Sequence, residues 1–314
     1  MNDVCILIVR LAPRGAWRIL MQVNRAFRDA VLCLTKGDVP STTYFYARCS
    51  PSLMTYMRID YCSPADLFTA AIMYRDPQYL QELLSRRGDS APLDVYNTVA
   101  SHGTLNHLKV CISHFGRRPR VSVYADAIRT ENTNVFVFLV RTYPIRYPKN
   151  RARLVCAAAL VGRPDYLKRL LRFHDITTVE AMDNAIYSGS LECTKIVCAH
   201  LDPRVLSVYD FCAAAARHGH VNILHYFHHG CGLALTGNVT ILAAGFGHLE
   251  ALKYAHEAGC EWSHLECMVA ASGGHAHCLE FAHTHGSRCH ANVLTAARSQ
   301  GNADCIEYCE KVCP

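Results

Sequence analysis

The chain has 314 residues, 51% of them apolar and 18% charged, a balance that supports one or two packed domains and excludes wholesale disorder. Its longest apolar runs, 4–9, 135–140 and 154–161, fall far short of the roughly 18 residues that span a bilayer, and Val4 to Val9 sits between Asp3 and Arg10 with no small-residue cleavage pattern, so no membrane association and no signal peptide are expected. Seventeen cysteines, an odd number in a long chain, point to free thiols in a reducing, cytoplasmic compartment, and the net charge of +6 conceals a split: residues 1–174 carry 25 Lys+Arg against 12 Asp+Glu, residues 175–314 only 7 against 14.

The first 63 residues lack the periodicity found further on. Val4, Ile6, Leu7 and Leu11 read as one short apolar helix face, Pro13-Arg14-Gly15 breaks the chain, and Trp17, Ile19, Leu20, Val23, Phe27 and Val31 continue at helical spacing. Two short helices joined by a Pro/Gly turn are expected. Leu11-Ala12-Pro13-Arg14 followed by Trp17 through Val23-Asn24-Arg25-Ala26-Phe27-Arg28 resembles an F-box. That family has a Leu-x-Pro turn and an apolar helix ending in Val-x-Arg-x-Phe-Arg. The resemblance implies an F-box-like helical module over 1–35 that docks a Skp1-like adaptor of a cullin-type ubiquitin ligase, with Leu11, Pro13, Trp17, Ile19, Leu20, Val23 and Phe27 as the docking residues. Residues 36–63 then serve as a linker or capping segment. A purely structural role for residues 1–35, capping the first repeat, is the alternative, since every array of repeats needs a polar-faced end.

From residue 64 onward one unit recurs. Paired small or apolar residues precede an anchor position, as in Ala71-Ile72 before Arg75, Val99-Ala100 before Gly103, Ala127-Ile128 before Glu131 and Ala158-Ala159 before Gly162. The series continues with Ala185-Ile186 before Gly189, Ala215-Ala216 before Gly219, Ala243-Ala244 before Gly247, Ala270-Ala271 before Gly274 and Ala297 before Gly301. These nine anchors are spaced by 27 to 31 residues, a period of about 28 that marks a repeat architecture. Each unit is expected to be a small-residue helix that stacks closely, a glycine turn, and a second helix with apolar residues two and five positions after the anchor, as in Leu249 and Leu252. Gly230, Gly259 and Gly286 are expected to end their second helices as left-handed caps.

Gly247-His248-Leu249-Glu250-Ala251-Leu252-Lys253-Tyr254, with His256-Glu257-Ala258-Gly259-Cys260 after it, resembles the second helix and end-turn of an ankyrin repeat, in the shortened style of ankyrin-repeat proteins of large amoeba-infecting DNA viruses. The resemblance covers about residues 64–314 and implies an all-α fold: an ankyrin-type solenoid of helical hairpins in which the β-hairpin finger of the ~33-residue repeat is reduced or absent. It also implies a non-catalytic adaptor in the host cytosol, whose repeats hold an unidentified host protein while the N-terminus recruits the ligase. A stand-alone scaffold that binds or sequesters a host protein without ubiquitin is the alternative.

Other chemistry is weighed against plainer readings. His218, His220, His225, His228, His229 and Cys231 are the densest ligand cluster, yet Cys-x2-Cys spacing is missing throughout, and His220, His248 and His275 share one repeat position, so turn histidines are expected and no metal. Cys305, Cys309 and Cys313 share one helix face, and Cys193, Cys278 and Cys305 are repeat-equivalent, which reads as buried small apolar residues. No His-Glu-x-x-His, Gly-x-x-x-x-Gly-Lys-Ser/Thr or Gly-x-Ser-x-Gly motif occurs, so neither catalysis nor a cofactor is expected. Arg117-Arg118-Pro119-Arg120 and the Arg141 to Arg153 stretch with Tyr143 and Tyr147 read as solvated connectors in preference to a nucleic-acid surface, because each falls where a repeat ends and prolines interrupt it.

Overall fold

The computed structural model describes residues 64–73, 77–87, 94–172 and 178–312. The seven F-box-like positions Leu11, Pro13, Trp17, Ile19, Leu20, Val23 and Phe27 lie outside the described residues, as do Arg75 and Cys313. Every described element is helical, no strand occurs among the described residues, and no helix there is long and apolar enough to cross a membrane. The chain divides into two compact units at Ile145/Arg146.

The first unit contains α1 (Pro64–Met73), α2 (Pro77–Arg87), α3 (Val95–His102), α4 (Leu105–Phe115), α5 (Val121–Arg129) and α6 (Thr133–Thr142). Helices α1, α3 and α5 pack in one row and α2, α4 and α6 in another, so each consecutive pair is a hairpin stacked on the next. The paired residues before each anchor form the contact: Ala71, Ile72, Val99, Ala100, Ala127 and Ile128 are all buried, and short side chains let helix axes approach closely. Glu131 adopts a left-handed backbone (φ 56) at its anchor, so the turn is kept where glycine is missing. Gly103 departs from the expected turn, with φ −89 and an extended backbone. Its lack of a side chain serves close approach instead: a Cβ there would lie 2.9 Å from the Val99 carbonyl oxygen and 3.0 Å from Ile72 Cγ2.

The second unit contains α7 (Pro148–Val161), α8 (Pro164–Leu171), α9 (Val179–Tyr187), α10 (Leu191–His200), α11 (Pro203–Val208), α12 (Phe211–Arg217), α13 (Val221–His225), a π-helical turn (Tyr226–Gly230), α14 (Gly237–Gly245), α15 (Leu249–Glu257), α16 (Glu266–Gly273), α17 (Ala276–Thr284), α18 (Ala291–Gln300) and α19 (Ala303–Val312). First helices α7, α9, α12, α14, α16 and α18 stack in chain order, and second helices α8, α10, α13, α15, α17 and α19 form a parallel row. The residues ahead of the turns, Ala158-Ala159, Ala185-Ile186, Ala215-Ala216, Ala243-Ala244, Ala270-Ala271 and Ala297, have no measurable exposure. On the second helices, the residues five after the anchor, Leu167, Thr194, Leu224, Leu252 and Leu279, are equally buried, each full burial of a leucine contributing about 1.5–3 kcal/mol. The apolar residues two after the anchor are less buried than those five after it. Leu191, Val221 and Leu249 open their helices and stay half-buried, because the chain is still leaving the turn there.

Two further departures concern connectors. The 30-residue spacing between Gly189 and Gly219 accommodates the extra helix α11, which buries none of its residues and is capped by Asp202, whose Oδ1 accepts from the Arg204 amide at 2.9 Å. Gly259 (φ 84) and Gly286 (φ 104) are left-handed caps as expected, but Gly230 is not. It closes the π-helical turn, and the left-handed residue of that connector is Gly232 (φ 69). The free thiols expected throughout hold at eleven described cysteines, including Cys193, Cys278, Cys305 and Cys309, all buried. Cys289 is instead disulfide-bonded.

Candidate interaction surface

The turns of the second unit are locked by side chains of the following hairpin. His220, His248 and His275 are the N-cap residues of α13, α15 and α17, and the ring of each lies against the anchor glycine one hairpin earlier. A Cβ on Gly247 (φ 79) would lie 2.5 Å from His275 Nδ1, and one on Gly189 would lie 2.7 Å from His220 Cε1; the same overlap arises between Gly219 and His248. At the last turn Asn302 takes the histidine's place, its Nδ2 donating to the Gly274 carbonyl at 3.1 Å. Burial holds His218 and His275 below the ordinary imidazole range. For His218 the neighbouring Arg217, His220 and His248 add to this; for His275, His248 adds and the Gly245 carbonyl opposes.

A second linkage runs through the first-helix N-termini. Glu266 is fully buried, its Oε1 accepting from Thr240 Oγ1 (2.8 Å), the Ser263 amide (2.9 Å) and Ser263 Oγ (3.0 Å), and its Oε2 from Ser287 Oγ (3.2 Å). Burial pushes this carboxyl up, but the donors from Ser263 and Thr240 outweigh it and leave the group below its ordinary value. One hairpin earlier, Thr236 Oγ1 donates to Asp210 Oδ2 at 2.5 Å while Asp210 Oδ1 caps α12 through the Ala213 amide.

Held on this frame, the ends of the first helices carry a row of exposed large side chains. Leu160, Tyr187 and Arg217 each stand two residues before their turn glycine, and Phe246 one before. Leu160, Tyr187 and Phe246 are 45%, 60% and 46% exposed, high values for residues of this size. Tyr187 meets the His218 ring edge-on at 5.2 Å, and the Arg217 guanidinium lies 4.8 Å over the Phe246 ring. The row offers aliphatic, aromatic and cationic contacts.

The six residues of the histidine-rich cluster do not converge. His218 and His220 belong to the turn, whereas His225, His228 and His229 gather around Tyr254, with His228 Nδ1 3.0 Å from the tyrosine oxygen. Cys231 lies apart, its sulfur 3.8 Å from that of Cys198. Among the described residues no group of three or more histidine, cysteine or acidic side chains is arranged to hold a metal ion. In the first unit Arg118 donates to the Pro144 carbonyl and lies 6.0 Å over the Tyr143 ring, while Tyr124 donates to the Tyr143 carbonyl at 2.7 Å. Arg118 therefore braces connectors.

Helix α11, the Glu266 network and the exposed row had not been singled out from the sequence. The row left no common signal, because residue size varies from repeat to repeat at the positions one and two before the anchor. No family model matches the chain, and no curated protein matches it.

Proposed function

We propose that this chain is a non-catalytic protein–protein adaptor of the F-box/ankyrin type. The observation that carries this reading is the row Leu160, Tyr187, Arg217 and Phe246, an exposed apolar and aromatic strip fixed on stacked hairpins whose turns are rigidly interlocked. Preorganised aromatic and arginine side chains are the residue types that dominate protein interfaces, because they bury large areas at low conformational cost. The hairpins hold a target protein along this strip, as ankyrin-type repeats do, and residues 1–35 bring a Skp1-like adaptor and with it a cullin-type ubiquitin ligase.

The test uses the full chain with purified Skp1. The wild type is expected to retain Skp1 on an affinity column, and Val23→Asp or Phe27→Asp to release it. Tyr187→Ala with Phe246→Ala is expected to keep Skp1 while losing the target captured from host extract. A wild-type chain that retains no Skp1 ends the ligase reading. The scaffold reading would then stand on target capture alone.

A further inference from the structure

Cys198 and Cys231 belong to consecutive hairpins, 33 positions apart, and their sulfurs are 3.8 Å from each other. Cys198 lies on the buried side of α10, whereas Cys231 is half-buried and follows the π-helical turn. The Cys231 amide donates to the Tyr226 carbonyl at 3.1 Å, five residues back, and this wide turn ends the helix with the thiol facing α10. Such turns recur at functional positions because they redirect a side chain at the expense of helix regularity. The Lys195 ammonium lies 5.5 Å over the ring of Tyr226, the residue that opens the π-helical turn.

We propose that Cys231 and Cys198 form a thiol–disulfide exchange site, at which a low-molecular-weight disulfide such as glutathione disulfide oxidises the pair and joins the second helix of one hairpin to the end of the next. The two thiols have unequal roles. Burial pushes the Cys198 thiol up to about 11, with Tyr226 working against it, so Cys198 is a poor first nucleophile toward an external reagent it also cannot reach. Cys231, the more accessible, loses its proton to solvent and attacks one glutathione sulfur. The Cys231–glutathione bond forms, the glutathione S–S bond breaks, and glutathione thiolate leaves and takes up a proton. Cys198 then gives up its proton and attacks Cys231 Sγ, expelling the second glutathione. Two protein thiols are oxidised and one glutathione disulfide is reduced to two glutathiones. Closing the pair requires the sulfurs to approach from 3.8 Å to about 2.05 Å.

Tryptic mapping resolves this cleanly, because residues 196–204 and 218–253 form peptides that each contain a single cysteine, Cys198 and Cys231. The folded full chain is exposed to glutathione disulfide, quenched with N-ethylmaleimide, digested without reductant and analysed by mass spectrometry. The expected product is the 196–204/218–253 linked pair, which disappears on reduction. In Cys198→Ser, the glutathione adduct on Cys231 is expected to exceed by about tenfold or more the adduct on Cys198 in Cys231→Ser. Absence of the linked pair from the wild type overturns the site without depending on any variant. Equal adduct levels in the two variants overturn the order of attack.

Discussion

Gly247→Ala tests the interlock between hairpins most directly. At φ 79 an alanine meets the intrinsic penalty for a left-handed L-residue, about 1–2 kcal/mol. Its Cβ would also lie 2.5 Å from His275 Nδ1, so the ring must leave its place, and forced overpacking of that kind costs a further 1–3 kcal/mol or so. The expected loss is about 2–5 kcal/mol, a large part of the roughly 5–15 kcal/mol that stabilises a domain. Gly259→Ala is the matched control, because Gly259 has φ 84 and nothing within 4 Å of an added Cβ; its cost is the conformational part alone, about 1–2 kcal/mol. Urea unfolding followed by circular dichroism gives both losses from the midpoints, provided the slopes agree with that of the wild type. Placing Gly247→Ala on a His275→Ala background removes the obstructing ring, and the cost of the glycine change then drops to that of the control. Equal losses for Gly247→Ala and Gly259→Ala would refute the interlock.

Glu266→Ala leaves the Ser263 amide and the hydroxyls of Ser263 and Ser287 facing a cavity without their acceptor, while Thr240 keeps the Gly237 carbonyl, and a loss of about 3–5 kcal/mol is expected in the same urea assay. Because the folded Glu266 carboxyl lies below its ordinary value, the stability it contributes is present above the normal glutamate range and is lost as pH falls through the folded value. Glu266→Gln flattens that acid limb. His218 and His275 act at milder pH. Both are held below the ordinary ~6.5, so the unfolded chain binds more protons there, and stability declines as pH falls from about 6.5 toward their folded values. His275→Asn, the residue type found against the Gly274 turn, is expected to reduce the loss between pH 7 and pH 5 measured by thermal unfolding. An unchanged pH profile would count against this assignment.

What the sequence made legible was whatever repeats. Positions that meet the same surroundings in every hairpin carry the same class of residue, so Ala215-Ala216, Ala243-Ala244 and Ala270-Ala271 revealed the stacked helices, and Glu131 at an anchor foretold a turn without glycine. Contacts between non-equivalent positions leave no such trace. Cys198 is nine residues beyond its anchor and Cys231 twelve beyond the next, so no alignment of repeats brings them together. Glu266 and Thr240 are likewise paired by stacking and not by period. Gly230 was misassigned because it shares a local pattern with Gly259 and Gly286, while the i to i+5 bond from Cys231 to Tyr226 shifts the left-handed residue to Gly232. Tyr187 and Phe246 stand two and one residues before their anchors, beyond the small-residue pair, where Met73, Ser101, Arg129 and Ser272 show no shared residue type to mark them.

The histidine-on-glycine contact bears on how such a chain grows. Three consecutive modules bring a Gly-His pair, at Gly219-His220, Gly247-His248 and Gly274-His275, whose histidine fits the glycine of the module before it, so among these modules the joint is the same on either side. Excising residues 220–247 would join Gly219 to His248 and seat the His248 ring on Gly189, in the place His220 now occupies; duplicating the same segment would add one more identical joint. Tandem duplication or loss of this module therefore preserves the histidine joints on either side, whereas a break at any other length separates a ring from its glycine. A gene built this way changes length in steps of one module, and its binding row lengthens or shortens with it.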